Sequence, residues 1–335
     1  MSSEPPVYIL LATYNGERFL AAQLDSLVAQ DHGNWILLVR DDGSSDRTPQ
    51  LVERFARSDP RVRIVASHAG RLGSAASFFV LMQQALDDGA RYFALCDQDD
   101  VWQPDKLSRQ HAALRGLERA SPPGTAALCW SDLSWIDAGD RVLAGSHFHA
   151  AGLATALSGA GPWLLAMNAV PGCAMFGNRA LLERALPQPA GVEHHDWWLV
   201  LLAAASGRIR VIEAPLVGYR QHAANAVGAA SLRDKLLNTL RSPARMLAQG
   251  RTTYWQAVVN ATCLRQRLGR AGLAPGWDSA VEHAVEQLGA ASAWRRLRAV
   301  MRGPVRRLGW ARNLLMLASA VGSAAGAPAD RSGGT

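Results

Sequence analysis

Three short, wholly apolar runs in the first hundred residues each break off in a polar cluster. They are Val7-Tyr8-Ile9-Leu10-Leu11-Ala12, Trp35-Ile36-Leu37-Leu38-Val39 and Tyr92-Phe93-Ala94-Leu95-Cys96. A continuous apolar run of this length is the mark of a strand buried on both faces. Helical spacing follows over 18–30, 47–57 and 74–88, and a further strand is expected at Val62–Ala66. Strands alternating with helices in this way predict an α/β fold, with a mostly parallel, Rossmann-like sheet flanked by helices and right-handed crossovers.

In such a sheet the carboxyl ends of the strands share one edge, and open α/β sheets hold their ligands there. The polar clusters that would meet at that edge are Thr13-Tyr14-Asn15-Gly16, Asp41-Asp42-Gly43-Ser44-Ser45-Asp46 and Asp97-Gln98-Asp99-Asp100. Carboxylates this close raise one another's pKa unless something positive compensates. A divalent cation does so naturally, since Mg²⁺ takes one or two carboxylates together with substrate phosphates. Each cluster also has a plainer explanation. A Tyr after a strand packs, Asp-Asp-Gly-Ser makes a turn and a helix cap, and an acidic loop is solvated. Trp102 fits the core as well as it fits a platform for a ligand ring.

The chain has 335 residues, enough for one large α/β domain with an appendage or for two domains. Its start lacks the basic and apolar regions of a signal peptide, and no run is long enough to span a bilayer. Four scattered cysteines form no CxxC pair, so a reduced, cytoplasmic protein is the expectation. The net charge of +7 is uneven, with residues 1–230 carrying −4 and residues 231–335 carrying +11. The body is thus acidic and the tail faces something anionic. A nucleic-acid-binding protein is disfavoured, because the basic tail has no recognisable binding fold.

Beyond the acidic cluster, a strand pair is expected at Ala126–Trp130 and Leu133–Ile136, and another strand at 171–176. Residues 146–170 show little period and place no element. Asn178 starts a helix through Leu186, and a further strand is expected at Ile209–Ile212. His194-His195-Asp196-Trp197-Trp198 opens a helix, with Asp196 at its start either as N-cap or as general base. Cys173 has no evident His partner and is a poor candidate nucleophile, and Trp197 and Trp198 fit packing. Arg220 offers a planar fork suited to phosphate, and His222 can donate to a phosphate or reach a metal.

The three strand ends, with Asp97-Gln98-Asp99-Asp100-Val101-Trp102-Gln103-Pro104, resemble the family 2 glycosyltransferases of GT-A fold. Gly172-Cys173-Ala174-Met175-Phe176, His195-Asp196-Trp197-Trp198 and Tyr219-Arg220-Gln221-His222 resemble that family's rhamnosyltransferase-like branch. The resemblance covers roughly residues 5–230. It implies that Ala12, Tyr14, Asn15 and Asp42 hold the nucleoside, which suits a ring that stacks and a carboxylate that accepts the N3–H of uracil or thymine. It assigns Asp99 as direct metal ligand and Asp97 to the ribose or a metal-bound water. Asp100 is then a turn carboxylate, Asp196 the general base, and Arg220 and His222 the phosphate side of the site, with His222 also within reach of the metal. The implied activity is inverting, Mg²⁺- or Mn²⁺-dependent transfer of a sugar from a dTDP- or UDP-sugar. The sugar would be L-rhamnose and the acceptor a surface-polysaccharide or lipid-linked glycan, with a UDP-hexose or UDP-hexosamine transferase as the alternative.

The expected organisation is a GT-A catalytic domain over 1–230, a basic helical extension over 231–312 and a small-residue tail over 313–335, its end disordered. Helices are expected around 231–241, 244–269 and 277–301. Over 294–312, Trp294, Leu297, Val300, Met301, Val305 and Leu308 recur against Arg295, Arg296, Arg298, Arg302, Arg306 and Arg307. Such a basic amphipathic stretch either lies peripherally on a membrane interface or packs on the domain.

Overall fold

In the computed structural model, residues 4–66, 70–154, 160–222, 243–308 and 310–321 are described. The expected helix at 231–241 and the terminal segment after Val321 lie outside them. Strands β1 (Val7–Thr13), β2 (Trp35–Asp41), β3 (Val62–Ile64) and β4 (Tyr92–Cys96) pair in parallel in the order β3-β2-β1-β4. Ile9, Leu10 and Leu11 are fully buried, as their uninterrupted apolar run requires. Helices α1 (Leu20–Val28), α2 (Thr48–Ser58) and α3 (Ser74–Asp87) supply the crossovers.

Past β4 the sheet becomes mixed. It continues β4-β8-β6-β9-β5, with β5 (Val101–Trp102), β6 (Ala127–Ile136), β8 (Met175–Asn178) and β9 (Arg208–Arg220), and β7 (Val142–Ala144) pairs with β6. The expected strand pair at 126–136 is one ten-residue strand, β6. Its register slips on both sides of Asp132, which is the polar interruption that divides the apolar pattern. Asp132 is buried, and its carboxylate accepts the N–H groups of His147 and Phe148 and the hydroxyl of Ser146. Those partners cap α5 (His147–Ala150), inside the segment where no element was expected. Opposite Asp132 in β9 stands Pro215, which has no N–H to give and fits at the irregularity. β9 is therefore continuous through Glu213-Ala214-Pro215 instead of ending at Ile212.

Gly172–Ala174 forms a 3₁₀ turn before β8 instead of strand. Asn178 caps α6 (Arg179–Ala185), its side chain accepting from the Leu181 N–H. Helix α4 (Lys106–Arg119) packs on β6, β8 and β9, while α7 (His195–Ser206) packs with α3 and α6 and on β6 and β9.

The tail holds α8 (Pro243–Leu268), α9 (Trp277–His283), α10 (Ala293–Arg302) and α11 (Trp310–Val321). The single helix expected over 277–301 is broken by a π turn at Ala284–Leu288 and by Gly289. Arginines fasten this tail to the body. Arg267 donates to the carbonyls of Arg184, Leu186 and Pro187, Arg307 to that of Ala166, and Arg312 to those of Ala151 and Gly152.

Candidate active site at the carboxyl edge of the sheet

The ends of β1, β2 and β4 come together as their register dictates, Thr13 opposite Asp41 and Leu11 opposite Cys96. Asp41 makes the turn, taking the Thr13 and Ser44 hydroxyls and the N–H groups of Gly43 and Ser44. Ala12 lies in β1 opposite Arg40, and Asn15, in the left-handed region at φ 47°, accepts the Ser45 N–H with its side-chain oxygen. Gln98 joins β1 to the acidic loop, accepting the Tyr14 N–H at 2.8 Å and donating to the Tyr14 carbonyl at 2.9 Å.

Asp42 is buried and turned toward the 70–73 loop. It accepts the N–H groups of Leu72 and Gly73, each at 2.7 Å, and the buried Arg40 guanidinium at 2.7 Å. Burial by itself would raise its pKa, but these donors overcome that and hold the carboxyl below its usual value. Arg71 stacks its guanidinium on the Tyr14 ring, 4.0 Å from the centroid. Nothing in the periodicity marks Arg40, Arg71 or Gln98, because each acts through a loop contact.

The acidic loop divides into three environments. The Asp99 carboxylate stands 2.8 Å from the His222 Nε2, which joins the end of β9 to the end of β4. Asp97 is half-buried, and its carboxyl is pushed up to about 7 by burial, then by Asp99 and Asp196. Asp100 is fully buried, with one oxygen on the Arg220 N–H at 3.1 Å and the other without a hydrogen-bond partner among the described residues. Burial, Asp99 and Asp97 drive its pKa far upward. Cys173 presents its thiol to Asp97 and Asp100, and burial pushes that thiol up, so it is no nucleophile.

Arg220 departs from the expected phosphate fork. Its guanidinium is buried, donating to the carbonyls of Asp99 (2.7 Å) and Asp137 (2.9 Å) and pairing with the Asp140 carboxylate (2.6 Å) above the Phe19 ring. Those contacts make it a brace beneath the acidic loop. Trp102 belongs to the core, with the buried Lys106 ammonium 3.7 Å from its ring centroid. Burial lowers the Lys106 pKa to about 8.

Asp196 sits in the first turn of α7, one residue past the start and so not at the N-cap, which is His194. Its two oxygens receive the Asn168 amide at 3.1 and 3.2 Å, and one also takes the Trp197 N–H. A β-carbon on Gly172 would lie 3.5 Å from both the Asp196 Cβ and a Leu95 methyl, so Gly172 lies between the base candidate and β4, the strand that precedes Asp97. Asn168 comes from the segment that had no legible period. His195 is buried and stacked on Phe78, and burial takes its pKa down to about 4. Trp197 and Trp198 are core, bonded to the Leu164 and Ala185 carbonyls.

These residues suit a divalent cation. A crowded carboxylate pushed to about 7 and an unpartnered buried carboxylate oxygen, among the described residues, both indicate room for positive charge beside the Asp99–His222 pair. Asp99 and His222, with Asp97 beside them, would hold it.

An open α/β sheet carrying acids at its carboxyl edge, flanked by helices, is the GT-A architecture, and comparison with solved structures agrees. A mannosyltransferase from Pyrobaculum calidifontis in complex with GDP-Man and Mn²⁺ superposes with a TM-score of 0.53 at 22% identity, over 90% of this chain and 74% of that one. The glycosyl transferase family 2 profile matches residues 8–121, so that segment of the chain is similar to the family 2 glycosyltransferases. Two curated relatives are similar over about a third of the chain. The Escherichia coli UDP-Glc:alpha-D-GlcNAc-diphosphoundecaprenol beta-1,3-glucosyltransferase WfgD is 35% identical over 31% of this chain and 39% of its own length. The Shigella flexneri dTDP-rhamnosyl transferase RfbG is 32% identical over 29% of this chain and 34% of its own. The matched stretch thus spans under half the length of these relatives.

Proposed function

We propose that this chain is an inverting, divalent-cation-dependent glycosyltransferase using a dTDP- or UDP-sugar, with L-rhamnose as the sugar and a lipid-linked or surface-polysaccharide glycan as acceptor. The observation that supports it is the His222–Asp99 contact at 2.8 Å beside Asp97, whose carboxyl is raised by burial, Asp99 and Asp196, side chains drawn from three separate stretches of chain. Tyr14 would stack on the base once Arg71 gives way, and Asp42 would offer the N3–H a lone pair, since a carboxylate has about four and three are taken among the described residues. Ala12 and Asn15 would line the nucleoside from the end of β1. A divalent cation held by Asp99 and His222 would neutralise charge gathering on the departing diphosphate. Asp196 would take the proton from the acceptor hydroxyl as it attacks, and Asn168 would keep the carboxylate aimed. The catalytic domain would comprise residues 1–230, with the basic extension over 231–312 and the short tail beyond serving placement. The protein would work in the cytoplasm, at the membrane's inner face.

Similarity to RfbG supports rhamnose, and the similarity to WfgD favours a second reading, transfer of glucose from UDP-Glc. A panel of sugar nucleotides with Mg²⁺ or Mn²⁺ decides between them. Turnover of dTDP-L-rhamnose alone supports the first, turnover of a UDP-hexose alone supports the second, and no turnover of either class ends both.

A further inference from the structure

The last described helices carry an exposed basic and apolar surface that none of the candidate site residues belongs to. Between Gly289 and Val321 the sequence holds seven arginines and no acidic residue. Helix α10 turns Arg296, Ala299 and Val300 inward, and Arg296 is spent there on the carbonyls of Ala290, Ala291 and Ala320. Outward go Trp294, 69% exposed, and Met301, 46% exposed, together with the exposed Arg295, Arg298 and Arg302. Trp294, Arg298 and Met301 stand at i, i+4 and i+7, one face of the helix, with Arg295 and Arg302 at its margin. Helix α11 leaves a second apolar row outward, Leu314, Ala318 and Val321. Arg295, Arg298 and Arg302 make no ion pair among the described residues. The sequence period alone put Val300 and Val305 on the same side as Trp294, but both are buried, so packing accounts for them and leaves the indole and the thioether in the open.

We propose that this face of α10 docks on the anionic surface of a phospholipid bilayer. An indole rests at the headgroup level, a flexible apolar side chain reaches the acyl boundary, and exposed arginines meet lipid phosphates. Docking there would hold the chain at the surface that carries a lipid-linked acceptor, and in that purpose it rests on the proposed function. The contact itself does not need sugar transfer, so the two can fail separately.

Flotation of the full chain with phosphatidylcholine vesicles, with and without phosphatidylglycerol, tests it. Binding should require phosphatidylglycerol and weaken with salt. Replacing all three arginines (Arg295→Gln, Arg298→Gln, Arg302→Gln) should weaken partition on the order of a hundredfold, each charge near the surface being worth about fivefold. Trp294→Ser with Met301→Ser should remove the binding that survives high salt, with the melting temperature unchanged because both side chains are already exposed. Absence of binding to phosphatidylglycerol vesicles, or binding by both variants equal to that of the parent, would overturn the proposal. So would a stable dimer lost in the Trp294→Ser variant, or tighter retention on RNA than on vesicles at equal salt. Calorimetry with UDP and dTDP on the same variants reports on the donor site independently.

Discussion

Asp97 is squeezed from two sides, by Asp99 in its own loop and by Asp196 from α7, and burial adds to the cost of its charge. Its carboxyl, at about 7, stands well above the about 3.9 of an unfolded chain. The native state therefore holds a proton that the unfolded state releases. This contribution to stability is fully present below about pH 4 and lost as the pH rises through about 7. A divalent cation competes for the same charge, so the rise in melting temperature on adding Mn²⁺ should be largest near about pH 8 and small near about pH 5.5, with protons released on binding between them. An increment that does not change with pH would remove Asp97 from the cation's surroundings. Asp196 makes a separate prediction. Asp196→Asn should leave UDP or dTDP affinity intact while transfer falls about 10²–10⁴-fold, the usual worth of a general base. Asn168→Ala should lower kcat less than that, since it positions a carboxylate without replacing it. Transfer unchanged in Asp196→Asn would shift the base elsewhere.

At the scale of elements, the clamp between β1 and the acidic loop decides whether the nucleoside edge and the cation edge move together. Gly16 lies so close to Gln98 that a β-carbon there would strike its amide. Because the far end of a Gln side chain can swing, Gly16→Ala should not unfold the protein. It should break both hydrogen bonds to Tyr14, costing about 1–3 kcal/mol, and Gln98→Ala should cost the same. Chemical denaturation of the double variant should show little further loss, as expected when two changes remove one interaction, and full additivity would deny the link. Sequence reasoning found β1, β2 and β4 because both faces of each are covered, which leaves an apolar run with no polar break. It divided β6 at Ser131-Asp132 because a bulge with a buried carboxylate looks like a turn. It could not foresee that Arg220 would be consumed as a brace. The carbonyls of Asp99 and Asp137 that receive its guanidinium are backbone atoms, and these leave no trace in residue type.

The whole molecule raises the same difficulty on a larger scale. The basic composition of the tail is plain in the sequence, yet arginines with equal charge divide into two uses. Arg296, Arg307 and Arg267 sit against backbone carbonyls, while Arg295, Arg298 and Arg302 stay exposed, and only packing tells them apart. The stretch at 294–312 shows this most clearly, since its period would have turned Arg296 outward with the other arginines. Arg267 makes the union of tail and body testable. It lies near the end of α8 and reaches three carbonyls at the end of α6 and just after it, those of Arg184, Leu186 and Pro187. Ala274 also gives its N–H to the carbonyl of Ala205 in α7, the helix that begins with the base candidate. If these contacts make one cooperative unit, Arg267→Ala should lower the stability of the entire chain by about 1.5–3 kcal/mol, the worth of hydrogen bonds to a charged donor. Melting should remain a single transition by calorimetry, with far-ultraviolet and tryptophan signals superimposed. A tail held only loosely would instead melt ahead of the body, giving two transitions in the variant and an unchanged second midpoint. In that outcome the arginine–carbonyl contacts would orient the tail on the body without sharing its stability.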